Sequence, residues 1–503
     1  MKNLSCIFTL LFVSLLYAQD QYGTGMIWDE ESYRSIPYKV QFTASTYDDL
    51  PSSYSLEKYA PIPGDQGQYG TCVAYAAAYG LRTTMLAKDY DITDKQKITA
   101  AVLSPSFVYY AIKREDDVDC KMGTNPKLGM EALKVLGVPT LKTVPYQCNP
   151  NISQAAQLEA IDYRIRDYQT LFFYDEQAPM VRVNATKKAL SEGYPVLIGM
   201  KLPESFFTAK KVWRTIPSDE GTQAKKHGQH AMVAIGYDDN YEGGCFRVLN
   251  SWSTQWGDGG FIWIPYDVYD KWCLGALQPY SYYKKKEDDV KPDPKPDPKP
   301  DPKPNPKPDP NPIAAKLPEG SLRFEQNNGQ PMAVTRISTR NLVVEDDVEG
   351  EDLVAYRMTQ GYPSNTRFRF YLKNVNEGYI YAFATDLSQK INKILPFDNG
   401  MSPLIGANSE FAFPSEKKVI KMDSNPGTDY LLILFSQEEL NQTELLQKMQ
   451  QASGGLTSKI KAALGDKLID KNMVQYAAGE PGFKVKDGAK GYVVPLMVEI
   501  THL

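Results

Sequence analysis

Between Lys291 and Pro312 the chain reads KPDPKPDPKPDPKPNPKPDPNP, with proline at every second position. Proline offers no amide hydrogen and fixes its own φ, so this run can join neither a helix nor a sheet ladder. It favours polyproline II, and at roughly 3.1 Å per residue it makes a semi-rigid spacer of about 65–70 Å if straight. Alternating Lys and Asp leave it little net charge, and a solvated spacer outweighs a metal or partner site built from its Asp residues. Folding must therefore happen separately on either side, with the linker spanning 284–316.

Each side is long enough for its own core, since 503 residues allow two or three domains. A net charge of -5 with a pI near 5.6 gives no reason to expect a nucleic-acid partner. The N-terminus is more telling. Met1-Lys2 is positive, Ile7–Leu16 is apolar but too short to span a bilayer, and Leu16-Tyr17-Ala18 ends in a small residue. This reads as a secretory signal over 1–18, cut after Ala18. Cys6 precedes the apolar run, so no lipid anchor is expected. No later segment is long and apolar enough to cross a membrane, and the expected product is soluble, exported and monomeric, in the periplasm or outside.

Export changes how the cysteines read. Of six, removal of Cys6 leaves Cys72, Cys120, Cys148, Cys245 and Cys273. An odd number in an oxidising compartment leaves at least one thiol unpaired. The simplest pairing joins Cys120 with Cys148 and Cys245 with Cys273, each closing a moderate loop. Cys72 would then be free.

Residues 19–48 are polar and aromatic without a clear period, an N-terminal arm or short pro-segment. A first domain is expected over 49–283. Ala100–Lys113 shows helical spacing after a Ser-Pro start signal; Leu128–Leu136 and Lys187–Glu192 are helices ended by Gly137 and Gly193. Pro195–Met200, Ala231–Tyr237, Cys245–Asn250 and Gly260–Ile264 read as strands. Helices first and strands later suggest an α+β domain. Beyond the linker, 317–503 reads as a second, smaller α+β domain. Its strands are Arg367–Leu372, Gly378–Thr385, Tyr430–Phe435 and Tyr492–Ile500, and its helices Glu438–Gln451 and Leu456–Leu464. It has no cysteine, its only histidine is His502, and no nucleophile–base pair is visible in it. Binding or positioning suits it better than catalysis.

Chemistry concentrates around PGDQGQYGTCVAYAAAYGLRTTM, Pro63–Met85. Cys72 stands where a Gly- and Gln-rich loop meets an Ala-rich helical segment. The positive end of a helix dipole there favours thiolate, the nucleophilic form. Alternatively it is a small residue packing a helix start. A nucleophile needs a base, and the chain has three histidines. His502 lies across the linker and His227 sits in a polar loop, the weaker candidate. His230 directly precedes the apolar run AMVAIGY, which would hold its ring rigidly. Asn250, at a strand end, suits the third group that fixes the base, with Trp252 covering their hydrogen bond. Gln66 can aim its amide at the oxyanion that the Cys72 N–H also binds. No cofactor and no metal site is expected.

GDQGQYGTCVAY resembles the active-site segment of papain-like cysteine peptidases. GQHAMVAIGYDD resembles that family's histidine segment and LNSWSTQWGDGGFIWI its Asn-Ser-Trp segment, while LSPSFVYYAIK and Pro145-Tyr146 fit the domain between them. The resemblance spans about Asp49 to Tyr283. It implies a two-lobed α+β catalytic domain with a helical half and a β-rich half. It also implies Cys72 as nucleophile, His230 as base and later acid, Asn250 as orienter and Gln66 as oxyanion donor, acting on protein or peptide substrates through an acyl-enzyme. Three places depart from the family's habits: Tyr69 where a disulfide cysteine is common, Val73 where Trp usually follows the nucleophile, and Gln229 before the histidine. The long inhibitory propeptide of many relatives is absent from the thirty or so residues between Ala18 and the domain, so control of activity has no expected source. In the second region GYIYAFATDLSQKINKILPF, IGANSEFAFP and NPGTDYLLILFS resemble an accessory domain of unknown function on exported bacterial proteins. That implies a bacterial source and an unidentified ligand. The competing readings are a non-enzymatic surface or adhesion protein that keeps the domain as a scaffold, and a transpeptidase or cell-wall-cleaving variant.

Overall fold

The computed structural model describes residues 22–175, 180–220, 228–282, 316–337, 353–386 and 391–503. The expected signal segment, His227 and the Pro-rich spacer lie outside these. The chain divides into two units. The first takes the chain up to Pro37 and from Leu50 to Ala315; the second takes Tyr38–Asp49 and Lys316–Leu503. The N-terminal arm is thus shared between units. Among the described residues no helix is long and apolar enough to cross a membrane.

In the first unit one helix runs through Cys72–Ala74, the wider-wound Tyr75–Arg82 and Thr83–Asp89. Its small residues let it lie close to its neighbours. A Cβ on Gly80 would meet Val233 Cγ2 at 2.8 Å, and one on Gly129 of the helix Pro126–Val135 would meet Val73 Cγ1 at 2.8 Å. The start signals act as expected. Ser104 Oγ accepts from Phe107 N with Pro105 at the first position, and Asn125 caps the helix that begins at Pro126. That last helix ends at Val135, Gly137 taking φ +77°, and Val181–Ser191 is followed by Gly193 at φ +88°.

Seven strands form the sheet of this unit: β1 Ser53–Ser55, β2 Asp167–Thr170, β3 Val196–Leu202, β4 Gly228–Asp238, β5 Cys245–Leu249, β6 Phe261–Pro265 and β7 Cys273–Tyr280. Their order is β2-β7-β3-β4-β5-β6, with β1 on β4. β4 is buried on both faces, which is why it reads as an unbroken apolar run. Ala231, Val233 and Ile235 enter the core shared with the helices, while Met232 and Ala234 enter a second core with Trp252, Trp256 and Phe246. His230 lies inside this strand, opposite Met200 of β3, rather than just before it.

The disulfide expectation needs correcting in one half. Cys120 and Cys148 are bonded, with Cα atoms 5.8 Å apart. Cys245 and Cys273 are free and buried. They begin β5 and β7, and β3 and β4 lie between those strands. Three strand spacings of about 4.8 Å exceed the ~7 Å Cα reach of a disulfide.

The second unit has two sheets. One orders its main strands as Asn392–Leu395, Gly378–Thr385, Gly427–Ser436, Val493–His502, Val354–Met358 and Val334–Arg336; the other as Ser409–Phe413, Arg367–Asn374, Glu319–Gln326, Gly482–Val485 and Val474–Tyr476. One apolar core takes side chains from both, Ile433, Leu496 and Val498 from the first and Leu322, Phe324 and Phe370 from the second. The helices Gln442–Gln451 and Leu456–Leu464 complete an α+β unit in which strands dominate. The strap Tyr38–Asp49 is part of it. Tyr38 N donates to Gly400 O and its carbonyl accepts from Ser402 N, Thr43 N donates to Glu410 O, and Phe42 is buried in the core.

A count of reactive thiols in the denatured, unreduced protein lacking residues 1–18 is expected to give three, from Cys72, Cys245 and Cys273. A count of one would restore the second bridge.

Candidate active site

Cys72 heads its helix and is fully buried. Burial pushes its thiol from 9.0 to about 11, against backbone hydrogen bonds from Ala231, Gly25, Val73 and Cys72 itself, which act the other way. A rise of that size corresponds to about 3 kcal/mol in favour of the neutral thiol, whereas a helix terminus supplies about 0.3–1 kcal/mol. Desolvation wins, so the thiolate expected from the dipole is not the resting form.

His230 is also fully buried. Its Nε2 lies 2.8 Å from Asn250 Oδ1, and that same oxygen accepts from Ser251 N at 2.8 Å. An oxygen that accepts a backbone N–H cannot be exchanged for the amide nitrogen, so Nε2 must carry the proton. Nδ1 is then the basic nitrogen, and it is buried with no hydrogen-bond partner. Register explains the pairing. Val233 faces Leu249, so the next residue, Asn250, comes to the face that His230 shares with Met232. The Trp252 ring lies 4.7 Å from the imidazole, tilted 32°. Burial lowers His230 from 6.5 to about 4, only partly offset by the bond to Asn250.

Gln66 is buried and fixed from both ends. Its Oε1 accepts from Ser251 Oγ at 2.6 Å, its Nε2 donates to Tyr69 O at 2.9 Å, and its backbone N donates to Ser251 O. The second Nε2 hydrogen remains for another acceptor. Tyr146 OH holds the Gln66 carbonyl and contacts Thr71 Oγ1, just before Cys72. Sequence reading missed Ser251 as the link between Asn250 and Gln66; its place directly after Asn250 was the available signal. Of the three departures, Val73 packs on Gly129, Tyr69 packs edge-on to Tyr146, and Gln229 holds the arm.

The arm was unreadable in sequence and is ordered here. Gly23 N donates to Gly67 O, and Gly23 O accepts from Trp252 Nε1 at 3.0 Å. Thr124 brackets Met26, its N donating to Gly25 O and its carbonyl accepting from Ile27 N. On the opposite side Met26 N donates to Gln229 O, and Trp28 N to Gln229 Oε1. Tyr22 stacks on Trp252 at 4.9 Å. Among the described residues no group of three His, Cys, Asp or Glu side chains is placed to hold a metal.

In the second unit His502 has a hydroxyl partner, contrary to the reading of no such pair. Ser364 Oγ is 3.0 Å from Nε2, with Asp429 3.5 Å and Asp423 3.8 Å from Nδ1. The flanking backbone donors are all spent, Ser364 N on Leu503 O, Asn365 N on Met422 O and Thr366 N on Pro363 O. No N–H is left there to bind an oxyanion, and the cluster ties down the chain's last two residues.

Two family profiles match the chain. Residues 56–281 match the family described as "Papain family cysteine protease", and residues 361–439 match "Domain of unknown function (DUF4384)". An uncharacterized peptidase C1-like protein of Acanthamoeba polyphaga mimivirus is 26% identical over 260 residues, 48% of this chain and 79% of that protein. A senescence-specific cysteine protease of Arabidopsis thaliana is 23% identical over 267 residues, 52% of this chain and 69% of that protein. Among solved structures, xylellain, a cysteine protease from Xylella fastidiosa, aligns with 22% identity and a TM-score of 0.42, over 52% of this chain and 96% of its own.

Because His230 stays neutral in the fold to about pH 4, the unfolded chain binds a proton between about pH 6.5 and 4 that the folded chain does not. Stability is expected to fall as pH drops through that window, by about 3 kcal/mol at its lower end. Urea midpoints at pH 7 and pH 4.5 measure this, and His230→Gln should flatten the difference.

Proposed function

We propose that this chain, a cysteine peptidase by its papain-family domain, hydrolyses peptide bonds with Cys72 as nucleophile and His230 as base. The reading is carried by one observation: the buried, unpartnered Nδ1 of His230, on a ring whose other nitrogen is committed to Asn250. Nδ1 takes the thiol proton, and the sulfur adds to the scissile carbonyl. The oxyanion accepts from Gln66 Nε2 and from the N–H of Cys72, which as first residue of its helix has no intrahelical acceptor. Protonated His230 gives its proton to the departing amine, leaving an acyl-enzyme. Water, deprotonated by His230, hydrolyses the thioester and restores the thiol.

Export is part of the proposal. The Met1–Ala18 signal pattern and the Cys120–Cys148 bridge both suit an oxidising compartment. The spacer and the second unit would act as a tether and a binding or positioning module.

Cys72→Ala is expected to reduce hydrolysis of unfolded protein to background; undiminished digestion would remove the proposal. Gln66→Ala should lower kcat about 100- to 1000-fold with little change in KM, the loss typical of one oxyanion donor. Ser251→Ala, which unlocks Gln66 without touching substrate, should lower kcat by roughly tenfold, the size of a lost hydrogen bond.

A further inference from the structure

We propose that the second unit binds an acidic polysaccharide in an open recess lined by Gln326, Asn327, Asn328, Asn365, Arg367 and Lys421. The recess lies where the strand Glu319–Gln326 stops and Arg367–Asn374 starts. All six residues belong to the second unit.

The charge pattern of the strands singles this place out. Opposite charges directly across a strand pair stabilise it, and like charges destabilise it. Elsewhere in the unit the register follows that rule. Lys373 faces Glu410, Lys484 faces Glu319 with its Nζ 3.2 Å from the carboxylate, and Arg357 faces Glu499 at 2.6 Å. Arg367, however, faces Lys421. Their neighbours Phe368 and Ile420 pack into the core, so both cations stand on the other face of the sheet, and both are exposed. Among the described residues neither side chain has an ion-pair or hydrogen-bond partner. Arg369, two residues on and on the same face, adds a third cation. It faces Glu325, yet its guanidinium donates to neutral acceptors, Glu416 O at 2.6 Å and Asn327 Oδ1 at 3.4 Å, and its Nε is buried without a partner. The backbone beside these charges is tied down, Met422 N donating to Thr366 O and Asn365 N to Met422 O. The repulsion is therefore held in place, and an anion set between the cations turns it into attraction.

The lining gives the class of ligand. It has no apolar side chain for a lipid or a hydrophobic peptide, and no carboxylate. No aromatic face is open to a nucleobase, since Tyr371 on the same face is buried, with the Arg323 guanidinium 3.4 Å from its ring centroid. The four side-chain amides have no acceptor for their N–H donors among the described residues. They suit hydroxyl groups, which donate and accept. Arg367 can grip two oxygens of a carboxylate or sulfate at once, and Lys421 adds a point charge. A polyhydroxylated anion uses all six residues. The recess holds about 340 Å³, within the range of about 300–1,000 Å³ usual for ligand sites.

This gives a ligand to the unit read above as a binding or positioning module, and it does not rest on the peptidase reading. The full chain lacking only residues 1–18 tests it, by affinity electrophoresis through gels holding polygalacturonate, dextran sulfate or neutral dextran. Retardation by polygalacturonate or dextran sulfate is expected, and none by dextran. Polygalacturonate alone assigns a carboxylate, dextran sulfate alone a sulfate, and both an anion of either kind. Lys421→Glu restores the opposite-charge pairing seen elsewhere, so it should keep its melting temperature while binding roughly tenfold or more weakly, the size of one lost charge-assisted hydrogen bond. Arg367→Gln should weaken binding similarly, and Lys373→Gln, on the same strand but outside the recess, should not change it. Absence of retardation by both anionic polymers, or equal retardation by dextran, would overturn the site. So would unchanged binding in Lys421→Glu and Arg367→Gln, or an equal loss in Lys373→Gln. Binding is read without turnover, so failure of this site leaves the peptidase reading standing, and the reverse.

Discussion

Asn250 Oδ1 is the atom on which the site depends. It accepts from the His230 ring and from the Ser251 backbone at once, and Ser251 passes the constraint on to Gln66. Ring tautomer, ring orientation and the aim of the Gln66 amide are therefore set by one turn at the end of β5. Such a buried network is strong only when complete. Asn250 Nδ2 is buried with no partner, a cost of about 1–3 kcal/mol. The rest of the sheet, with β4 buried on both faces, provides the rigid frame that can carry this.

The same burial that orders the groups also quiets them. Desolvation raises the thiol and lowers the imidazole, so between roughly pH 4 and 11 both are neutral in this state. A helix dipole is too weak to reverse that. Reactivity would need water, or a substrate's own polar groups, to reach the pair.

Cys72, His230, Asn250, Gln66 and Trp252 were legible because each stands at a local junction: a loop meeting a helix, or a polar residue at the edge of an apolar run. The structure joins His230, Asn250, Gln66 and Trp252 in one chain of contacts through Ser251, with Cys72 at the head of the neighbouring helix. The four strands expected in each domain were legible to within a few residues for the same reason, alternation and turn residues being local signals, whereas β1, β2 and β7 gave no such signal. Ser251 was hidden behind its more conspicuous neighbour. The free state of Cys245 and Cys273 could not be read, because strand order within a sheet is not a property of sequence spacing. β7 returns to lie between β2 and β3, and two intervening strands separate the thiols. The arm was illegible for a third reason. Its ordering bonds run mostly through backbone atoms, and backbone bonding leaves no periodicity. Gly23-Thr24-Gly25 lies in a stretch without a clear period, and only the neighbouring loop shows why side chains are excluded there.

That kind of recognition bears on what else can occupy the groove. Thr124 offers an N–H and a carbonyl to one edge of an extended chain, and Gln229 offers a carbonyl to the other. These contacts are indifferent to side chains. Selectivity is left to the places where the walls are open, and the paired Gly199 and Gly275 are such a place. There Met26 is only 4% exposed. Any chain that took the place of Tyr22–Trp28 there would have to match these backbone bonds and fill that depression.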